Sequence, residues 1–328
     1  MTDSLTRRRA LQVSGVALAA GTAGCLGGGQ AAGTIDYSAL ESVDMSAAPK
    51  LRETPGEASK PEFRIYEADG PTETLLILYH NTTLDSRALQ PLAQGIADAG
   101  AAQVVTPDIR GHGPNPIRRG DLDYKYQTGE DLVRLIQLRT FLRSLIDAKP
   151  FRTVIVGGHG AGGAIATRLG WGAQASLADA YLLLAPHLGR DVSTTRPAFG
   201  GWQEYDLLIY VLANLFSQFD LDYFSASEAV RLDMPEPARY GDETLSYTYR
   251  LIASLLPPSK RSITEIPFPT LTVVGSEDDA VVPEAYRSLL AGDDDATFAM
   301  LDGLNHLDLM ADLAVLDPVM EFIDRVSG

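Results

Sequence analysis

Seven short runs of apolar residues between positions 63 and 301 constrain the fold of this chain more than any other feature of its sequence. The runs are FRIYEA (63–68), TLLILYH (74–80), AQVVTPD (102–108), TVIVGG (153–158), AYLLLAP (180–186), LTVVGS (271–276) and TFAML (297–301). The central runs are apolar throughout and do not alternate with polar residues, which is typical of strands buried on both faces. They predict a parallel sheet enclosed between helices.

Segments with a helical spacing of apolar residues separate most of these runs. They cover residues 86–99, 128–147, 161–172, 283–291 and 308–326. The alternation of strand and helix predicts an α/β fold with a doubly wound, mostly parallel sheet and right-handed crossovers. A ligand of such a sheet binds outside the carboxyl ends of the strands, so the residues that follow each apolar run are the candidates for a functional site.

Residues 187–268 interrupt this rhythm, because they contain no clear core strand. Apolar and aromatic residues recur in their first part at helical spacing: Trp202, Tyr205, Leu208, Leu212, Leu215 and Phe219. We interpret residues 187–268 as a helical cap, inserted over the strand ends and covering a pocket. The α/β core would then consist of residues 61–186 and 269–328.

Residues 1–25 resemble an export signal. A pair of arginines (7–8) precedes a mildly apolar run (10–24) that is too short to span a bilayer as a mature helix. This pattern is typical of a twin-arginine signal peptide. The run ends in TAGC, which resembles a lipobox, and Cys25 is the only cysteine of the chain. We expect a lipid-anchored Cys25 at the outer face of the cell membrane.

Cleavage near Gly24 without lipid attachment is the alternative for this signal. The residues that follow, 26–60, are small, polar and proline-containing, and they predict a flexible linker between the anchor and the fold.

The charge of the chain limits its partners. Asp and Glu number 43 against 27 Lys and Arg, which gives a formal net charge of −16, and only five residues are lysine. A chain this acidic is not expected to bind nucleic acid or anionic lipid. The composition is also typical of proteins exposed to very high salt, where screening removes the repulsion between carboxylates.

Closely spaced glycines join a strand-like run to a helix-like one in VIVGGHGAGG (154–163). Gly158, Gly160 and Gly163 spell the G-x-G-x-x-G of a dinucleotide-binding loop, but no carboxylate ends the next strand-like run to hold a ribose hydroxyl. Residues 158–162 also match the G-x-S-x-G of a nucleophile elbow at every position except the centre. Gly160 stands where that elbow carries its serine.

Four further segments occur in the order found in α/β-hydrolases. They are HNTTLDSRALQPLAQGIADAG (80–100), TPDIRGHGPN (106–115), GSEDDAVVPEAY (275–286) and LDGLNHLDLM (301–310). Over about residues 62–326 the chain resembles the α/β-hydrolase superfamily, close to its lysophospholipase-like and esterase-like branch, and its N-terminus resembles that of haloarchaeal-type exported lipoproteins. The resemblance implies a hydrolase of carboxylic esters, acting on a small or lipidic substrate without a cofactor or a metal.

The resemblance also implies two proton-handling residues. Asp278 matches the triad acid in a G-x-x-D pattern, with the adjacent Asp279 as the alternative, and His306 matches the catalytic histidine. An anion at the acid position orients the imidazole and stabilises its protonated form. His112 and His159 match scaffold positions of the family.

The oxyanion hole of such an enzyme is formed by two backbone N–H groups. One belongs to the residue after the nucleophile, here Ala161, and the other to the loop after the first long strand, here Asn81 or Thr82. The family has glycine after His80, and this chain has Asn81 instead.

Gly160 has no attacking group, and three hypotheses follow. In the first, His306 held by Asp278 acts directly on a small or lipidic substrate without a serine. In the second, the chain is an inactive pseudo-hydrolase that binds a small apolar ligand under its cap. A third hypothesis takes the nucleophile from elsewhere: Thr82, Thr83 or Ser276. A purely structural surface lipoprotein is a different class, and a filled cavity above Gly160 would favour it.

Overall fold

The computed structural model describes residues 35–55, 62–146, 148–190, 192–293 and 295–328. The predicted signal and Cys25 lie outside the described residues. In the described part, the strands are β1 Arg52–Glu53, β2 Glu62–Tyr66, β3 Thr74–Tyr79, β4 Gln103–Pro107, β5 Thr153–His159, β6 Ala180–Leu184, β7 Gln203–Tyr205, β8 Glu228–Leu232, β9 Ser246–Thr248, β10 Thr270–Gly275 and β11 Ala296–Leu301. The helices are α1 Ser38–Glu41, α2 Gln90–Asp98, α3 Gln127–Gln137, α4 Arg139–Leu145, α5 Ala161–Trp171, α6 Leu207–Ser217, α7 Tyr249–Ser254, α8 Pro283–Leu290 and α9 Leu316–Ser327.

The main sheet has eight strands in the order β1-β2-β4-β3-β5-β6-β10-β11. The β1–β2 and β2–β4 pairs are antiparallel, and all other neighbours are parallel. The seven apolar runs of the sequence form β2–β6, β10 and β11, and every residue of β3, β6 and β10 is buried. The doubly wound, mostly parallel fold class is therefore confirmed. Its parallel strands deliver their carboxyl ends to one edge, where the candidate site residues meet.

The predicted linker 26–60 is wrong for its described part, because residues 35–55 pack onto the fold. Ile35, Tyr37 and Leu40 are each at most 8% exposed. The Tyr37 ring lies edge-on to Trp202 at 6.1 Å, and its hydroxyl donates to the carbonyl of Asp233 at 2.7 Å. The apolar side chains of this short segment find partners about 200 residues away, which local composition does not reveal.

The insertion over the strand ends is mixed in structure, and not helical throughout. It contains α6 and α7 together with a three-stranded antiparallel sheet of order β7-β8-β9. Isolated bridges from Thr83 to Thr244 and from Thr195 to Val281 join the insertion to loops of the core. The cap is thus fastened beside the strand ends that carry the candidate site.

Candidate functional site

The turn between β5 and α5 has the geometry of a nucleophile elbow without a nucleophile. Gly160 adopts φ 52° and ψ −109°, a conformation that L side chains rarely adopt, and its N–H donates to the carbonyl of Leu184 on the neighbouring strand. The glycine therefore sits at the strained tip that would lift a hydroxyl into the site. The tip presents only backbone.

His306 and Asp278 form a buried pair at the ends of two adjacent strands. The imidazole Nδ1 lies 2.9 Å from Asp278 Oδ2, and neither residue is exposed to solvent. Asp278 Oδ1 also accepts from the backbone N–H groups of Ala280 and Val281, at 2.9 and 2.7 Å. Both carboxylate oxygens of Asp278 thus accept hydrogen bonds. The bond from His306 Nδ1–H fixes the orientation of the imidazole.

Asp279, the alternative acid, faces a different partner. Its Oδ2 accepts from the backbone N–H of Asp36 at 2.7 Å, so it fastens the N-terminal segment to the core. Its other oxygen lies 3.4 Å from the backbone N of His306 and not near the ring. Burial raises the pKa of the Asp279 carboxyl, and the Asp36 N–H opposes that rise. Asp278 is therefore the residue that the geometry pairs with the His306 imidazole.

The side chain of Asn81 connects this pair to the elbow. Its Oδ1 accepts from the backbone N–H groups of Ala161, at 3.0 Å, and Thr82, at 2.8 Å. Because the oxygen faces two donors, its amide Nδ2 must face His306, where it lies 3.0 Å from Nε2 and donates to it. The imidazole is then neutral, with its proton on the side of Asp278.

Two positions of a hydrolase site are thus occupied by one side chain. Asn81 Nδ2 donates to His306 Nε2 as a serine hydroxyl would, and Asn81 Oδ1 accepts from Ala161 N–H as a substrate oxyanion would. The predicted oxyanion-hole residues Asn81, Thr82 and Ala161 do come together. The acceptor between them belongs to the protein, and the predicted backbone donor role of Asn81 is replaced by a side-chain role.

The residues at positions 81 and 160 are sterically matched. A Cβ built on Gly160 would overlap Oδ1 and Cγ of Asn81 and lie 2.7 Å from its Nδ2. No side chain fits at the tip of the elbow while the amide is in place. The Asn81 amide at this place therefore requires glycine at position 160.

Aromatic residues of the insertion cover the imidazole. Phe199 and Trp202 lie edge-on to His306, with ring centroids 5.4 and 6.2 Å away, and both are at most 2% exposed. The backbone that carries them is left-handed at Ala198, Phe199 and Gly200. A Cβ on Gly200 would overlap the carbonyl oxygen of Asp279, so this turn can approach the acid loop only with glycine. The site above Gly160 is filled by protein.

Two further histidines are structural, as the sequence predicts for His112. His80 Nδ1 donates to the carbonyl of Asn81, its Nε2 accepts from Ile109 N–H, and burial lowers its pKa to about 4. His112 Nε2 accepts from the hydroxyl of Tyr247 in the insertion, at 2.7 Å, and burial lowers its pKa to about 3. Both are neutral rings that hold loops in place.

The ring of His159 lies 4.4 Å from that of His306, and His187 is connected to His306 through Phe199. His159 Nε2 donates to the carbonyl of His306 at 2.9 Å, and burial holds the pKa of His159 well below its usual value. His187 packs against Phe199 at 4.4 Å, and burial lowers its pKa to about 4. Both are buried neutral rings that pack around the site.

None of the three candidate substitute nucleophiles bonds to the imidazole. Thr82 Oγ1 lies 3.4 Å from Asn81 Oδ1, and Thr83 Oγ1 donates to the carbonyl of Thr82. Ser276 Oγ accepts from Gly303 N–H, away from the elbow. The third hypothesis of the sequence analysis therefore has no support in the geometry.

Two cavities of the described residues lie elsewhere. One of about 330 Å³ is lined by residues of the loop after β4, including Asp108, Arg110 and Ile117, and one of about 460 Å³ lies along β7 and β8. Neither is lined by Gly160, Asn81 or His306. Within the described residues there is no group of three or more His, Cys, Asp or Glu placed to hold a metal ion.

A model described as the alpha/beta hydrolase family matches residues 80–321. The matched span starts at His80 and includes the elbow, the acid loop and His306, and the sheet order agrees with it. This chain belongs to the alpha/beta hydrolase family.

Solved structures agree with this fold at low sequence identity. A soluble variant of monoglyceride lipase from Saccharomyces cerevisiae, in complex with a substrate analog, superposes with a TM-score of 0.61 at 16% identity, covering 86% of this chain and 97% of that one. A malate-bound thermophilic esterase from Thermogutta terrifontis gives 0.54 at 17% identity, with 86% and 100% covered. Est1E from Butyrivibrio proteoclasticus gives 0.54 at 15% identity, with 84% and 98% covered. No curated protein matches the chain.

Sequence reasoning missed the residues that fill the site. The sequence contains two signals of this arrangement: HN in place of the family's His-Gly at 80–81, and glycine at the elbow tip. Neither signal alone indicates that the site is filled, because only the fold brings the Asn81 side chain against Gly160. The covering pair Phe199 and Trp202 had no local signal for its position.

Proposed function

We propose that this chain is a catalytically inactive member of the α/β-hydrolase family. One observation carries the proposal: the Asn81 amide bonds both His306 Nε2 and the Ala161 N–H, the two groups that an ester hydrolase must keep free. This is the pseudo-hydrolase alternative of the sequence analysis. The filled site gives no support to an apolar ligand above Gly160, so we propose that the protein acts through its outer surface.

Ester hydrolysis by this family needs three things that the arrangement withholds. It needs a hydroxyl at the elbow, a free imidazole nitrogen to take its proton, and empty N–H donors for the developing oxyanion. Loss of the nucleophile alone lowers turnover in a comparable serine hydrolase by about a millionfold. Here the other two groups are bonded to Asn81 as well.

A direct role of His306 as a general base is also disfavoured. Such a base must reach a water or a substrate proton at about 2.6–3.2 Å. The Nε2 lone pair of His306 is directed at the Asn81 amide, and Phe199 and Trp202 pack on the ring. The His306–Asp278 pair serves instead as the buried end of a structural network.

Four proteins test the proposal: wild type, Gly160→Ser, Asn81→Gly and the double variant. Wild type should neither turn over short aryl esters nor react with a small organophosphonate probe. Gly160→Ser alone should stay nearly inactive, because its Cβ would overlap the Asn81 amide, which also bonds His306 Nε2 and the Ala161 N–H. The double variant regains the hydroxyl, the free imidazole and the empty oxyanion hole, and its turnover should exceed that of wild type by about a hundredfold or more.

Adding His306→Ala to the double variant is the control, since the regained reactivity must depend on the imidazole. Brisk esterase activity of the wild type that His306→Ala abolishes would overturn the proposal. That result would restore the first hypothesis, in which the His–Asp pair acts without a serine.

We also propose that the protein is exported by the twin-arginine pathway and anchored by lipid at Cys25 to the outer face of the cell membrane. The support is the sequence of residues 1–25 and the use of the only cysteine at the end of the lipobox-like TAGC. A radiolabelled lipid precursor should be incorporated into the wild-type chain and not into Cys25→Ser. Equal labelling of both proteins would contradict the anchor, and labelling of neither would favour cleavage near Gly24.

Adaptation to high salt belongs to the same proposal. A net charge of −16 with only five lysines is a composition that needs screening for a compact state. We therefore expect the protein to need molar KCl to stay folded.

A further inference from the structure

Helix α6 of the insertion exposes an apolar face. Leu207, Leu208, Val211 and Leu215 are between 48% and 68% exposed. At about 100° per residue these four positions fall within an arc of about 100°, so they form one stripe along the helix. The opposite side of the helix, around the buried Ala213, packs on the insertion. A stripe of this kind on a monomer is unusual and marks an interaction surface.

The loop after α6 extends this face. Phe219, Leu221, Tyr223 and Phe224 are each at least 41% exposed. Phe216 joins the two parts, because its ring lies 5.4 Å from that of Tyr223 and 5.9 Å from that of Phe224. We call residues 207–224 the apolar face.

The apolar face contains no positive charge. Its sequence, LLIYVLANLFSQFDLDYF, has neither Lys nor Arg, and its charged residues are Asp220 and Asp222 near its end, with Asp206 just before its start. Two cations border it: the Lys125 ammonium donates to Ser217 Oγ at 2.6 Å, and the Arg190 guanidinium lies over the ring of Tyr210, 5.7 Å from its centroid. The exposed side chains of the face are apolar, neutral polar or acidic, so it favours a neutral apolar partner over an anionic one.

We propose that the apolar face inserts into the headgroup region of a neutral lipid surface. Aromatic and aliphatic side chains on one face of a short helix are the chemistry by which proteins lie in a membrane interface. Helix α6 has 11 residues and a length of about 16 Å, about half of the hydrocarbon thickness, so it can lie in the interface and not cross it. None of the described helices is long and apolar enough to cross a membrane.

The sequence before the first described residue favours a lipid surface, and not a protein, as the partner of the apolar face. Here we rely on the proposed anchor at Cys25. Nine residues (26–34) separate it from Ile35, and fully extended they reach about 30 Å. An anchor so close in the chain keeps the fold at the membrane surface.

The first described residues contact both the core, where the Asp36 N–H donates to Asp279, and the insertion that carries the apolar face. Tyr37 bonds Asp233 and packs on Trp202, and the Asp233 N–H donates to the Trp202 carbonyl where β8 leaves β7. Helix α6 starts directly after β7 and packs on β8. Tyr37 therefore lies beside the β7–β8 pair, to which α6 is attached.

Vesicle flotation tests the proposal with the full chain carrying Cys25→Ser, which removes the lipid. The probe is phosphatidylcholine vesicles in molar KCl. The Cys25→Ser chain, which we call the background chain, should float with the vesicles. Adding Leu208→Ser/Phe219→Ser should lower its vesicle partition coefficient by about tenfold or more. Both side chains are 68% exposed, so folding should be unchanged by circular dichroism.

The matched control is Ile117→Ser/Leu313→Ser, which removes two apolar side chains of 67% and 72% exposure outside the apolar face. It should float as the background chain does. Phe219→Trp should give a blue-shifted emission that brominated phosphatidylcholine quenches, and Leu313→Trp should give neither. Higher KCl should strengthen the partition, because burial of apolar surface drives it.

Three results would overturn the proposal: no flotation of the background chain, equal loss in the two double variants, or an indole emission of the Phe219→Trp chain that brominated lipid leaves unquenched. A concentration-dependent dimer that Leu208→Ser/Phe219→Ser abolishes, without vesicle binding, would assign the face to a second copy. Flotation is measured on a chain that carries no lipid, and it does not depend on enzymatic activity. A failure to float would therefore contradict the membrane-binding proposal alone. The proposals of an inactive site and of a lipid anchor at Cys25 are tested separately, by the esterase assay and by lipid labelling.

Discussion

At the scale of single residues, the site depends on the close contact between the Asn81 side chain and Gly160. The side-chain amide of Asn81, on the neighbouring loop, occupies the space that the missing Cβ of Gly160 leaves. The amide satisfies three buried polar groups at once: the Thr82 and Ala161 N–H groups and His306 Nε2. A half-emptied hydrolase site would leave these groups unpaired at a considerable energetic cost.

Asn81→Ala should therefore lower the free energy of unfolding by about 3 kcal/mol, since it leaves three buried groups without a partner. Asn305→Ala is the matched control. Asn305 Oδ1 also accepts from two backbone N–H groups, at 2.9 and 3.0 Å, but it is partly exposed and water can replace it. Its loss should be about 1 kcal/mol. Urea unfolding in molar KCl measures both, and equal losses would contradict a stabilising role of the Asn81 amide.

At the scale of elements, the sequence predicts those whose pattern is local. The seven apolar runs became β2–β6, β10 and β11, because a strand buried on both faces is apolar at each position. The β7–β9 sheet was missed, since its strands have three to five residues and alternate in burial. Helical spacing in the cap predicted α6 correctly, but it did not predict which side of α6 faces solvent.

The apolar residues of the predicted cap include both buried and solvent-exposed side chains. Trp202 is buried against His306, whereas Leu208, Leu215 and Phe219 face solvent. Periodicity identifies an apolar stripe, but it cannot tell whether protein covers that stripe. The direction of each side chain depends on contacts with residues far along the chain.

The candidate site was predictable in its placement and not in its chemistry. Strand order brings the Asp278 loop and the His306 loop to neighbouring strand ends, so their pairing follows from the fold. The direction of the Asn81 side chain does not, because it depends on the backbone donors of two loops and on the missing Cβ at Gly160.

At the scale of the whole molecule, every histidine of the chain is buried, and four of the five have lowered pKa values. Burial lowers the pKa of His80 and His187 to about 4 and that of His112 to about 3, and it holds the pKa of His159 well below its usual value. Burial also raises the pKa of Asp108 to about 6, with nearby Asp85 adding to the rise. These groups make the stability of the fold depend on pH below neutrality.

On acidification, the histidines with lowered pKa values decrease the free energy of unfolding, and Asp108 with its raised pKa increases it. Between about pH 6.5 and pH 4 an unfolded histidine binds a proton that the buried ring does not, so acidification favours unfolding. Asp108 binds its proton in the folded state below about pH 6 and in the unfolded state only near pH 3.9, so it contributes stability as the pH falls through this range. Burial also raises the pKa values of Glu62, Asp131 and Asp279, which act with Asp108, whereas the lowered pKa values of Asp85 and Asp121 act with the histidines. The four histidines therefore decide the sign of the pH dependence above the range in which carboxyls titrate.

We therefore expect the free energy of unfolding in urea, measured in molar KCl, to decrease as the pH is lowered from 7 to about 4.5. His187→Phe keeps an aromatic ring against Phe199 but removes one titrating group, and it should reduce this slope by up to about 1.4 kcal/mol per pH unit. Asp108→Asn removes the opposing contribution and should make the decrease steeper below about pH 6. A stability that is flat or rises on acidification would mean that these rings are charged or hydrated in the folded protein, and the buried network around His306 would lose its physical basis.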